Sequence, residues 1–194
     1  TNTIQFIAPS TSGPTGYYAF GTTALALNTW YHIAATRVGG TVRLFLNGVQ
    51  ETITQFQSGN SANQFGAIGP AYVGSYFNTF SYFTGYISNL RVVNGTALYT
   101  ASFTPSTAPL TAVTNTSLLM GFTNGAIYDN AESNNLETVG SAQISTSVFK
   151  YGTGSIALNG TTGYLNTSPA NQAKFAFGSG DFTIEMWVYT SSVA

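Results

Sequence analysis

Apolar and polar residues alternate with a period of two through much of this chain. In "WYHIAATRV", Tyr31, Ile33 and Ala35 oppose Trp30, His32 and Ala34. In "TVRLFLNGV", Val42, Leu44 and Leu46 share one face, with Arg43 and Phe45 on the other. "DFTIEMWVYT" sets Phe182, Ile184, Met186 and Val188 against Thr183, Glu185, Trp187 and Tyr189. Side chains of a strand point to opposite faces in turn, so each run predicts a strand with one face toward a core. Asn47-Gly48 and Gly39-Gly40 predict hairpin turns, because both tolerate positive φ. "GYISNLRVV" predicts a strand that ends at Asn94-Gly95, and "SIALNGTTGYLN" reads as strand, Asn-Gly turn, strand. No helix longer than a turn or two is predicted: strong helix formers are sparse, and β-branched and aromatic residues are abundant. The pattern predicts an all-β chain folded as an antiparallel β-sandwich.

Composition sharpens this picture. Only 6% of the 194 residues are charged, against roughly 25% in ordinary soluble domains. The cations Arg37, Arg43, Arg91, Lys150 and Lys174 are scattered, and the net charge is −1. That leaves no electrostatic footprint for nucleic acid or an anionic membrane, so neither is expected as a partner. No apolar run is long enough to span a bilayer as a helix. With no cysteine and one histidine, thiolate and histidine-rich metal sites are excluded. A chain opening on Thr1 is expected to be a processed product or a piece of something longer. The stretch 97–117 carries Pro105 and Pro109, which cannot donate ladder bonds. It predicts an edge or connector, with a module boundary near Pro109.

Four constellations could carry chemistry. Asp181 and Glu185 are the carboxylates with i, i+4 spacing on one strand face, the minimum a glycan hydrolase needs. The plainer expectation is a turn Asp and a strand Glu. His32 has no acidic partner or nucleophile in a recognisable setting and predicts a hydrogen-bonded structural histidine, and Trp30 and Trp187 predict core packing. "DNAESNN" concentrates oxygen donors, so Asp129, Asn130, Glu132 and Asn134 are the candidate ligands for a Ca²⁺, against an ordinary Asx-rich turn. "AYVGSYFNTFSYFTGY" crowds aromatics without clean alternation. Tyr76, Phe77, Asn78, Phe80 and Tyr82 are its candidate ligand-binding residues, since aromatic faces stack on sugars and anchor protein contacts.

Several segments resemble a known family. "NTWYHIAATRVGGTVRLFLNGVQ" resembles the central hairpin of laminin G-like domains. "FTGYISNLRVVNGTALYTASFTPSTAPL" is similar to the last strand and tail of such a domain. "TSLLMGFTNGAIYDNAESNNLETVGSAQISTSVFKYGTGSIALNGTTGYLNT" and "FAFGSGDFTIEMWVYT" resemble its beginning. The resemblance implies a concanavalin A-like jelly-roll sandwich with its segments in rotated order. Residues 1–109 would be the C-terminal part of a module and 110–194 the N-terminal part, together closing one sandwich, against the alternative of two half-modules from neighbouring copies in a tandem array. It further implies a non-enzymatic adhesion or recognition module of an extracellular or virion-surface protein, of a kind that occurs in tandem. The expected partners are a glycan or host-surface receptor and neighbouring copies of the module. The competing expectation is a purely structural assembly or spacer unit, and a rim calcium is the one cofactor the family suggests.

Overall fold

The computed structural model describes residues 2–8, 17–58, 65, 71–76, 80–123, 127, 129–131, 136–167 and 173–192. In chain order the first eight strands are β1 (Gln5–Ala8), β2 (Tyr17–Gly21), β3 (Trp30–Val38), β4 (Thr41–Leu46), β5 (Val49–Gln50), β6 (Ile53–Ser58), β7 (Tyr72–Val73) and β8 (Ser75–Tyr76). The rest are β9 (Phe80–Tyr82), β10 (Thr84–Asn94), β11 (Thr116–Met120), β12 (Leu136–Val139), β13 (Gln143–Ser145), β14 (Ser155–Asn159), β15 (Tyr164–Thr167) and β16 (Phe182–Thr190). Every pairing is antiparallel. Among the described residues no helix is long and apolar enough to cross a membrane.

One large sheet runs β13-β14-β10-β16-β3-β4-β5, with β11 also on β10. β16, the strand from the end of the chain, lies at its centre. It pairs along its length with β10 on one side and β3 on the other. The second layer is divided into β1-β2-β6 and β12-β15-β7, with a small hairpin, β8-β9. The molecule is thus an antiparallel jelly-roll sandwich whose second layer is split. Each part of that layer covers its own core. Val42, Leu44, Leu46 and Phe182 pack under the β1 sheet, while Ile87, Val92, Leu118 and Ile156 pack under the β15 sheet.

Turn chemistry agrees with the sequence in most places. The Gly39-Gly40 hairpin closes between Val38 and Thr41, and Asn47-Gly48 turns the chain with φ of 50° and 79°. "SIALNGTTGYLN" does form two strands around a turn, but they are not a hairpin. β14 joins the main sheet and β15 the second layer. The Asn159 carboxamide accepts from the backbone N–H of Thr161, Thr162 and Gly163, each at 3.0 Å. That cluster shapes a wider loop which carries the chain between layers.

β10 needs a bulge to stay amphipathic. Asn89, at φ 54°, interrupts its register with β16 between Ser88 and Arg91. The extra residue lets Ile87, Leu90 and Val92 all face the core, while Ser88 and Arg91 face outward.

Candidate functional site

The outer face of the main sheet holds most of the chemistry-bearing side chains, and its middle is covered. The segment 95–111, most of it within the stretch 97–117 read from sequence as an edge or connector, lies across this face as a strap. Leu98 N–H donates to Thr183 Oγ1 at 2.8 Å, Thr36 Oγ1 to Tyr99 O at 2.8 Å, and Phe103 N–H to Gly48 O at 2.8 Å. Tyr99 and Phe103 stack at 3.5 Å with nearly parallel rings, and Phe45 meets Phe103 edge-on. Gly48 is required here: a Cβ would sit 1.9 Å from Phe103 O.

Beneath the strap is a buried polar node around Glu185. Arg91 Nε donates to its Oε1 at 2.8 Å, and Arg91 Nη2 donates to the same oxygen. His32 Nε2 lies 3.1 Å from Oε2, and Tyr99 OH donates to Oε2 at 2.8 Å. Arg91 Nη1 also donates to Thr111 O at 2.7 Å, which ties the strap's far end to the node. His32 and Glu185 are fully buried. Burial pushes the Glu185 carboxyl up, but the hydrogen bonds from His32, Arg91 and Tyr99 and the Arg91 charge outweigh it and hold it below its ordinary value. Burial first, then the Glu185 charge, pushes the Tyr99 hydroxyl well above the usual tyrosine range. Both Glu185 oxygens are engaged, while His32 Nδ1 is buried without a hydrogen-bond partner among the described residues.

That geometry revises several expectations. His32 is a structural histidine and does have an acidic partner, Glu185, which local reading could not find because 153 residues separate them. Asp181 and Glu185 do not converge in a cleft. Asp181 accepts from Gly39 N–H at 3.0 Å at the strand entry, while Glu185 is sealed under the strap. Glu51 is engaged too, accepting from the N–H of Thr22 and Thr23 at 3.0 and 2.9 Å and from the Thr23 hydroxyl. Among the described residues no group of three or more Asp, Glu or His could hold a metal. Asp129 is buried, and its Oδ1 accepts from the N–H of Leu119 and Ala131 at 2.7 and 2.9 Å, as an Asx turn does. Asn130 donates its N–H to Leu119 O at 2.7 Å. The other two candidate calcium ligands, Glu132 and Asn134, lie outside the described residues.

Among the described residues two surfaces remain open. The first is at the end of the outer face, beyond the strap. Tyr86, Tyr189 and Trp30 stand directly opposite one another on β10, β16 and β3. Their ring centroids are 5.7 and 5.4 Å apart, and all three are half-buried. Trp187, one turn of the pleat further in, is buried between His32 and Tyr151, with Lys150 Nζ 4.4 Å over its ring. So Trp187 is core as expected, whereas Trp30 is only partly so. Exposed Asn28 and Thr29 flank Trp30.

The second surface is the seam between the two parts of the second layer. A cavity of about 470 Å³ opens there, floored by Ile33, Ile87, Met186 and Val188. Asn2 and Thr3 form one wall, and Ser75, Ser81 and Tyr82 the other. Tyr82 brings the aromatic-rich stretch to this rim, its ring 6.3 Å from Tyr164. Tyr76 and Phe80 pair across the β8-β9 hairpin. Phe77 and Asn78 lie outside the described residues.

An all-β sandwich with two layers and no exposed catalytic pair among its described residues is the class these observations define. The model of the concanavalin A-like lectin/glucanases superfamily, in its laminin G form, matches residues 1–102, and the chain belongs to that family. No curated protein and no solved structure matches it.

Proposed function

We propose that this chain is a non-enzymatic recognition module of an extracellular or virion-surface adhesive protein, and that it contacts an uncharged glycan on the ladder Trp30–Tyr189–Tyr86. The observation that carries this reading is the ladder itself. Three half-buried rings share one register level on three adjacent strands, where the strap leaves the sheet open. Aromatic rings offer large apolar faces at little conformational cost, and neighbouring Asn28 and Thr29 supply amide and hydroxyl partners for sugar hydroxyls. The engaged carboxylates argue against hydrolysis, since each described candidate already holds hydrogen bonds within the fold.

A glycan array with the intact chain tests this. Binding should fall at least about tenfold in Trp30→Ala and Tyr86→Ala with the β-sheet circular dichroism unchanged, since one lost ring contact at about 1.4 kcal/mol is a tenfold change. A blank array, or binding indifferent to both substitutions, would sink the reading. The second reading, a unit that assembles with other polypeptide, is favoured by the open seam on the inner face.

A further inference from the structure

The seam lies over the wrong strand to be an ordinary surface groove. β16 is the central strand of the main sheet, yet its inward side chains Ile184 and Met186 are only half-buried, as is Ile33 beside them. Inward residues of a central strand in a two-layer sandwich are ordinarily covered by the facing sheet. Here, among the described residues, the cover stops on both sides. The two core clusters meet only through partly buried residues, Tyr31, Ile33, Phe177 and Ile184. Two smaller cavities, of about 250 and 110 Å³, adjoin the main one, and all three share Met186.

Among the described residues the edge beside the seam is unpaired: β1 ends its sheet and bonds only to β2. Ile4 O accepts from Gly21 N–H at 2.9 Å. Antiparallel alternation therefore turns the backbone groups of Ile4, Phe6 and Ala8 toward β2, and those of Gln5 and Ile7 toward the seam. Such an edge is a template for another strand. Among the described residues, none that lines these three cavities is charged.

These features select one occupant. A glycan on the Ile/Met/Val floor would bury hydroxyls without partners. An acyl chain would suit the floor but leave the Gln5 and Ile7 backbone groups unmet. An extended polypeptide meets both demands. Its backbone pairs with the β1 edge, and every second side chain falls on the floor, where Ile184 and Met186 repeat at about 6.7 Å, twice the rise of a strand. We infer that the seam receives a strand of partner polypeptide, uncharged and apolar at alternate positions, by addition to the free edge of β1. This site is separate from the aromatic ladder, so each can fail alone.

The probe is a blocked synthetic peptide, TIQFIA, the uncharged alternating sequence of residues 3–8. Added to the intact chain, it should slow amide exchange at Gln5 and Ile7 by about tenfold or more and raise the thermal midpoint with concentration. Gln5→Pro removes an outward N–H while sparing the bonds to β2, so it should fold normally and lose about tenfold or more in peptide affinity. Trp30→Ala should bind the peptide as the parent does. Unchanged exchange at Gln5 and Ile7, or undiminished binding by Gln5→Pro, would overturn the inference. So would stabilisation by decanoate but not by the peptide, which would make the seam an acyl-chain pocket.

Discussion

The two faces of the main sheet solve opposite problems. The outer face carries His32, Glu185 and Arg91, side chains that resist burial, and the chain covers them with its own strap. The inner face carries Ile33, Ile184 and Met186, side chains that favour burial, and the chain leaves them half-covered. Covering ions is tolerable because every charge in the node meets an opposite charge or a hydroxyl, and the strap bonds back to the same groups. Leaving apolar residues open costs hydrophobic stabilisation at the centre of the sheet. Stability should therefore concentrate under the strap on the outer face, and the capacity to take up a polypeptide strand on the inner one.

The sharpest way to break that contrast is Glu185→Ala. It strands Arg91 without its counter-charge and His32 Nε2 without its partner, and should cost about 3–5 kcal/mol in urea denaturation. A loss under 1 kcal/mol would show that the node contributes little and that the strap is held by its aromatic stack alone.

Acid should produce a smaller effect of the same origin. The folded Glu185 carboxyl sits below its ordinary value, so its stabilisation is fully present above the unfolded pKa of about 4.3. It is lost as pH falls from there through the folded value. Glu185→Gln should show a flatter decline of thermal midpoint below about pH 4 than the parent; parallel declines would remove Glu185 as the cause.

The smallest effect is expected on the inner face of the same strand. A fully buried Met cut to Ala costs about 2–5 kcal/mol, but Met186 is half-open, and Met186→Ala should cost about 1 kcal/mol. A cost as large as that of a sealed core position would mean the inner face is covered in solution, and the contrast would collapse.

The strands were legible because alternation is local. β3, β4, β10 and β16 can each be read from a few residues, and Asn47-Gly48 from two. The inward set Phe182, Ile184, Met186 and Val188 was legible for the same reason, and so was the outward placing of Glu185 with Trp187. The role of the strap was not. Pro105 and Pro109 announce only that the stretch avoids a ladder, and a connector and a cover look alike in sequence. The Glu185 node was illegible because its members come from β3, β10, β16 and the strap. The ladder Trp30–Tyr189–Tyr86 could have been found only by pairing strands in the right order and register, since each ring alone reads as core.

The sequence by itself determined the strands, their inward faces, the hairpin turns and the absence of cysteine chemistry, because each depends on neighbouring residues. Tertiary structure alone decided that β16 sits between β10 and β3, that 95–111 covers the middle of one face, and that the second layer parts over Met186. Those outcomes depend on which distant strands share hydrogen bonds, and no local pattern carries that information.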